Sequence, residues 1–306
     1  MQEDRSNVLF SLIKLILVLL VGFFIANFLA FLAVLPFVDY DLELITKLVQ
    51  NPSDFPETRT ALMVMQGVAA LGIFVFTPII YIRFVDNTLS FKYLFGNNAL
   101  GGGLFLCSLT VLLAIVEMPL IAWLGEWNNG WIFPEVFESW ARAQEEKMKA
   151  LTIFLTTFHS FEQFLLGFVV IAIVPGMGEE FLFRGILQNK LKQLSGNAHL
   201  AIWLSAIIFS AIHFQFYGFA PRMLLGAVFG YLYHWSGNLA YAMVAHFVNN
   251  GFTIMMMYLY QQRQVEMDID KEQVPIDMAL LSLALSGVLM FLFYKIVYGK
   301  RLESSL

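Results

Sequence analysis

The chain is short of cysteine and of charge. Cys107 is the single cysteine, so no internal disulfide and no cysteine cluster for a metal can form. It lies inside an apolar run and reads as a small packing residue. Charged residues make up 13% of the 306 residues, whereas soluble domains carry about 25%. The deficit is concentrated in repeated apolar runs of roughly 20 residues, the length that crosses a bilayer core. The net charge of −5 argues against nucleic acid as a partner. Internal repeats, low-complexity tracts and a soluble domain are missing too. There is no His-Glu-x-x-His helix and no Gly-x-Ser-x-Gly elbow.

What is there reads as an all-α, polytopic transmembrane helical bundle. The apolar runs predict about eight spans, near 10–36, 61–82, 100–124, 154–175, 199–214, 219–236, 238–260 and 278–298. The first run, from Val8 to Phe37, is longer than the core of a signal peptide and reads as a retained span. Residues 177–194 are too polar to face lipid and read as a separate piece that does not cross fully. Three acidic stretches, 37–60, 125–150 and 261–277, read as loops, punctuated by Asn51-Pro52-Ser53-Asp54 and Asp268-Ile269-Asp270. Trp123, Trp127, Trp131 and Trp140 fall around one of them, as an interfacial belt does. Arg5, Lys14, Arg83, Lys92, Lys190, Lys192, Lys295, Lys300 and Arg301 flank the opposite side. With that side cytoplasmic, both termini are inside, and in a bacterium the membrane is the plasma (inner) membrane. The chain divides into N-terminal helices and loops over 1–150, a motif-bearing core over 155–260, and a loop and last helix over 261–306.

Ionisable residues inside apolar segments are functional-site hypotheses by default. Gly178-Glu179-Glu180-Phe181-Leu182-Phe183-Arg184-Gly185 holds three. Glu180 and Arg184 are four apart, on one helix face, and can pair. Glu179 lies about 100° round the axis and is left free for other work. Phe209-Ser-Ala-Ile-His213 places a histidine in the middle of an apolar helix, and His246-Phe-Val-Asn-Asn250 places a histidine and an asparagine on one face of another. Facing lipid would be costly for each, so they are expected to converge on one cleft-like interior cavity. A carboxylate there is a general base, a histidine beside it helps hold a water, and a second histidine with an amide offers donors to an oxyanion. The Glu179, His213 and His246 set also suits a divalent metal such as zinc, and the sequence leaves the two open.

Together these motifs resemble the signature of the CPBP family, the CAAX prenyl endopeptidases of the Rce1 type and their bacterial relatives, also called the Abi family. The resemblance covers about 155–260. It implies an intramembrane endopeptidase acting on a membrane-associated peptide or protein. Glu179 is then the base, His213 shares activation of the water, and His246 and Asn250 form the oxyanion site. Glu180 and Arg184 are structural support. Such families have been described both as metalloproteases and as metal-free, and the metal-free reading is preferred here.

Blander readings stand beside this one. Glu179, Glu180 and Arg184 suit a buried ion network that fixes helix register. His213 suits a core histidine bonded to backbone, and His246 and Asn250 suit interhelical hydrogen bonding. A proton-coupled transporter would use the same ionisable set as a relay, and an idle bacteriocin-immunity scaffold would only bind. Glu117, before Met118-Pro119, reads as a kink or bundle contact. His159, Glu162, His199 and His234 read as interfacial, and Met255-Met256-Met257 as packing. Gly176-Met177-Gly178-Glu179 has the glycines of the presenilin-type Gly-x-Gly-Asp but lacks its aspartate.

Overall fold

The computed structural model describes residues 5–86, 88–96, 103–266 and 273–303. Every regular element among them is helical. In chain order these are α1 (Arg5–Val38), α2 (Leu42–Gln50), α3 (Pro56–Val85), α4 (Phe91–Phe95), α5 (Gly103–Asn129), α6 (Glu135–Thr156), α7 (Phe161–Ser195), α8 (Ala198–Ala211), α9 (Phe219–Ser236), α10 (Leu239–Gln261) and α11 (Ile276–Glu303).

Five of them, α1, α3, α5, α7 and α11, are long and apolar enough to cross a membrane. Their outward faces explain why water is the wrong solvent. Phe10, Leu17, Phe24 and Phe28 on α1 and Leu280, Val288 and Phe291 on α11 are exposed. A contiguous apolar surface of this kind is stable only against lipid or another chain. The chain is therefore an integral membrane protein. The other expected spans, 199–214, 219–236 and 238–260, correspond to α8, α9 and α10. These are shorter or more polar helices, and all three pack on α7.

Residues 177–194 are not a separate piece. They continue the preceding apolar run as α7, one helix of 35 residues. The break falls earlier, at Thr157–Ser160, where Ser160 caps the new helix by accepting from the Gln163 N–H. Inside α7, wider π-type turns cover Phe168–Ile173 and Phe181–Gln188, on either side of Val174–Glu180. Such turns concentrate at functional sites. Gly176 and Gly178 are needed for close approach, not for a break. A Cβ on Gly176 would stand 2.9 Å from the Phe247 nitrogen of α10, and one on Gly178 2.8 Å from the Phe74 Cβ of α3.

The acidic stretch 125–150 is mostly helix as well. Glu135–Thr156 forms the 22-residue α6, whose Phe137 and Trp140 pack on Phe216. The stretch 37–60 holds α2, capped by Asp41, which accepts from the Glu43 and Leu44 N–H groups. Within 261–277, Asp268-Ile269-Asp270 lie outside the described residues, as do Gly101 and Gly102. α5 is interrupted at Glu117, and Ser282 of α11 bonds across the break, donating to the Val116 carbonyl at 2.6 Å. Lys190, read as flanking the membrane, is fully buried and paired with Asp86. His199 and His234 line a cavity of about 510 Å³ with Trp235, Tyr294, Val297 and Tyr298, at the Ser236 end of α9.

Candidate active site

α7 is the element on which the motifs converge. Glu180 and Arg184 lie one turn apart on it and are fully buried, with Arg184 Nη1 donating to Glu180 Oε1 at 2.7 Å. Arg184 Nη2 donates to the Gly226 carbonyl of α9 at 3.0 Å. The guanidinium lies 4.6 Å from the Phe209 ring centroid and 5.5 Å from that of Phe229. A cation taken this far from water is tolerable only with a charge partner and further acceptors, and the two rings add a cation–π contribution.

His246 on α10 joins the same carboxylate. Its Nδ1 is 2.8 Å from Glu180 Oε1. Its ring stacks on Phe229 at 5.2 Å and meets Phe209 edge-on at 6.0 Å. The carboxylate accepts, so Nδ1 carries the hydrogen and Nε2 is the nitrogen that faces outward. There it stands 4.0 Å from Glu179 Oε2. Glu179 is different from its neighbour. Its side chain is 13% exposed against 0% for Glu180, and among the described residues its carboxylate makes no hydrogen bond.

His213 is not in the middle of a helix. α8 ends at Ala211, and His213 sits in the turn beyond, just before Phe214, whose φ of 53° closes the turn. Its Nδ1 lies 2.8 Å from the Phe209 carbonyl. A carbonyl can only accept, so Nδ1 is the protonated nitrogen and Nε2 keeps its lone pair. Phe209 therefore does more than pack: its carbonyl orients His213, and its ring touches Arg184, His213 and His246.

Asn250 donates from Nδ2 to the Ile171 carbonyl at 3.1 Å, and its Oδ1 accepts from Asn249 at 3.1 Å. Pro175, four residues after Ile171, has no N–H to give that carbonyl. Asn250 thus ties α10 to the π-type turn ahead of the acidic pair.

Arg222 was missed in the sequence reading. It enters from α9, donating from Nη1 to the Gln215 side chain and from Nη2 to the Gln215 carbonyl, each at 2.8 Å. Gln215 lies two residues beyond His213, so these bonds tie Arg222 to the turn that carries His213. The signal was available: it is a lone cation in the apolar stretch 219–236, the same signal that singled out Arg184.

Among the described residues no group of three or more His, Cys, Asp or Glu side chains is placed to hold a metal ion. Glu179, His213 and His246 therefore do not form a zinc-type ligand set in this arrangement.

In this helical membrane bundle Glu180, Arg184 and His246 form one buried cluster, with Glu179 at its edge. Residues 161–252 match the model of the family described as type II CAAX prenyl endopeptidase Rce1-like. The matched segment runs from the start of α7 past Asn250 and contains all three motifs, so this part of the chain is similar to that family, in agreement with the motif resemblance. The chain is also similar to the uncharacterized protein YpbD of Bacillus subtilis (strain 168), with 26% identity over 147 residues. That match covers 46% of this chain and 61% of the relative, so the chain spans about three fifths of the curated protein it matches. No solved structure matches.

Proposed function

We propose that this chain is an integral-membrane endopeptidase that hydrolyses a peptide bond by water activation, with Glu179 as the general base. The observation that carries the reading is the contrast between the two adjacent carboxylates. Glu180 is fully buried and bound to both Arg184 and His246, whereas Glu179 has no hydrogen bond and faces His246 Nε2 at 4.0 Å. That distance is too long for a direct hydrogen bond and suits two groups sharing one water.

In this mechanism Glu179 takes a proton from the water as its oxygen bonds to the scissile carbonyl carbon. His213, whose Nε2 keeps its lone pair, helps orient that water. The carbonyl oxygen becomes an oxyanion, to which His246 Nε2 and the second Asn250 N–H donate. For His246 to do this both ring nitrogens must carry hydrogen, Nδ1 donating to Glu180 and Nε2 to the oxyanion. The C–N bond then breaks, and Glu179 returns its proton to the leaving amine. Glu180 and Arg184 act through His246 and the helix, as positioning residues.

The test is cleavage of a quenched membrane-peptide library by the purified protein in liposomes, beside Glu179→Gln and with and without a strong chelator. Cleavage that Glu179→Gln abolishes and the chelator spares supports the mechanism. Cleavage lost to the chelator and restored by zinc replaces it with a metal-assisted one. Cleavage that survives Glu179→Gln overturns the assignment and reopens the transporter and scaffold readings.

A further inference from the structure

We infer that the cavity at the Ser236 end of α9 is a second binding site, and that it takes a phosphate group, carried by a lipid headgroup or free in solution. The inference stands apart from the hydrolase reading.

The cavity lies well away from the candidate active site. His199 stands in the first turn of the 14-residue α8 and His213 just beyond its last, so about 20 Å of helix separates them. Three helices frame it: α8 begins there, α9 ends there, and the apolar span of α11 closes nearby at Gly299. That is the depth at which apolar helix surface gives way to lipid headgroups. A row of rings crosses the three helices. Centroids are 5.6 Å apart for His199 and Tyr231, 5.2 Å for Tyr231 and Trp235, 5.4 Å for Trp235 and Tyr294, and 5.8 Å for Tyr294 and Tyr298. An interfacial aromatic belt accounts for rings at this depth. It does not account for a concavity of about 510 Å³ lined by two imidazoles as well. That volume is within the range of ligand clefts, about 300–1,000 Å³.

The lining selects an anion. The imidazole, indole and phenol groups of His199, His234, Trp235, Tyr294 and Tyr298 are all of donor type, and among the described residues no carboxylate lines the cavity. His199 Nδ1 is 2.9 Å from the Tyr231 hydroxyl. With that hydroxyl donating, the ring hydrogen sits on Nε2, the nitrogen left for a ligand. His199, Tyr294 and Tyr298 are exposed, so the site is open to a ligand from outside. The surrounding charge agrees. No Asp or Glu occurs between Phe181 and Val265, which takes in all of α8 and α9, or between Met278 and Leu302 of α11. From Tyr294 to Glu303 the last helix carries Lys295, Lys300 and Arg301 against the single Glu303. A phosphate meets several donors and a net positive setting here, as in basic pockets between membrane helices that hold lipid headgroups. An ammonium group would meet the same rings with no counter-charge in the lining.

The experiment titrates the full chain, in a maltoside detergent and phosphate-free buffer, with three probes: a short-chain phosphatidylglycerol, the matching diacylglycerol without phosphate, and inorganic phosphate. Binding is read by native mass spectrometry and by the shift in unfolding midpoint. The wild type is expected to bind the phospholipid about tenfold or more tighter than the diacylglycerol, and added salt should weaken that preference. The double variants His199→Gln/His234→Gln and Tyr294→Phe/Tyr298→Phe should each lose about tenfold in affinity for the phosphate probe. The tyrosine pair keeps its rings, so its loss reports the hydroxyls and not the packing, and it decides the matter if the histidine pair fails to fold. Inorganic phosphate that binds as tightly as the phospholipid assigns the site to the free anion; binding of the phospholipid alone assigns it to a headgroup. Equal binding of the diacylglycerol overturns the inference, because the cavity is then a groove for acyl chains. Full phosphate affinity in both double variants overturns it as well, by placing the anion elsewhere. So does a wild type that binds neither phosphate probe.

Discussion

Among the described residues two ion clusters are buried, and they are built differently. In the first, Lys190 of α7 meets Asp86 at the end of α3, and every oxygen of that carboxylate is used. Oδ1 accepts from the Thr88 backbone and hydroxyl, and Oδ2 from Ser11, Tyr81 and Lys190. Lys190 also donates to Thr88 at 2.8 Å. The second cluster, Glu180, Arg184 and His246 with Glu179 at its edge, is left open. Among the described residues Glu180 Oε2 and Arg184 Nε have no hydrogen-bond partner, and Glu179 makes no hydrogen bond. A closed network fixes α1, α3 and α7 together and has nothing left to offer a substrate. An open one keeps donors and acceptors in reserve at a cost in stability, which is the pattern expected of a site. Burial of charge alone does not separate the two; completeness of hydrogen bonding does.

The sharpest way to break this comparison is to neutralise one carboxylate in each cluster. Glu179→Gln should lower peptide cleavage by about 10²–10⁴-fold, the usual contribution of a positioned general base, with its unfolding midpoint near that of the wild type. Asp86→Asn should do the reverse, lowering the midpoint and sparing the turnover of the folded fraction. If Asp86→Asn inactivates a folded protein as fully as Glu179→Gln does, the division into closed and open clusters fails. Next in size is Arg184→Met, which strands Glu180 in the interior. Removing one member of a buried pair costs about 3–5 kcal/mol, read as a loss of unfolding free energy in detergent. The double variant Glu180→Gln/Arg184→Met should be less damaged than the two single losses added together, because the stranded charge is gone.

The open cluster was largely legible in the sequence and the closed one was not. Glu180 and Arg184 are four apart, so helical spacing alone put them in contact. His246 could be flagged as polar in an apolar helix, though its attachment to Glu180 across sixty-six positions could not be read. Asp86 and Lys190 belong to different helices with nothing local to connect them, and Lys190 looked like an ordinary flanking cation. The continuity of α7 was hidden because residues 177–194, with Glu179, Glu180 and Arg184, are too polar for a lipid-facing span and read as a separate piece. In the structure the π-type turns absorb the proline and the glycines serve close packing. α6 was hidden for a related reason: its charges suggested a loop, but they lie on an amphipathic helix whose aromatic side chains pack on Phe216.

Acid should separate the clusters further. Burial raises the Asp86 carboxyl, but hydrogen bonds from Lys190, Thr88 and Ser11 outweigh it and hold the group well below the usual carboxylate range. A folded-state value depressed below the unfolded one, about 3.9, means that its stabilisation is complete above that value. It is lost as pH falls from there towards the folded-state value. Acid unfolding in detergent, followed by circular dichroism, should therefore steepen below about pH 4 in the wild type. Asp86→Asn should be weaker at neutral pH and flatter across that window. Identical acid limbs for the two proteins would show that Asp86 does not carry the effect.

The smallest effect is expected at Gly226, where the open cluster is fitted to α9. A Cβ there would stand 3.0 Å from Arg184 Nη2 and 3.1 Å from the Ala206 Cβ, with the Ala206 Cα at 3.2 Å. One of these neighbours is the tip of a side chain, but the others belong to the backbone side of α8, so the helix pair itself must yield. Overpacking of this kind costs about 1–3 kcal/mol. Gly226→Ala also moves the carbonyl that accepts from Arg184 Nη2. The loss should therefore extend beyond stability to turnover, because Arg184 holds Glu180 and Glu180 holds His246. The measurement is unfolding free energy and cleavage rate on the same preparation. A variant less stable by the expected amount but with unaltered turnover would mean that Arg184 only holds the fold together, and that His246 keeps its place without it.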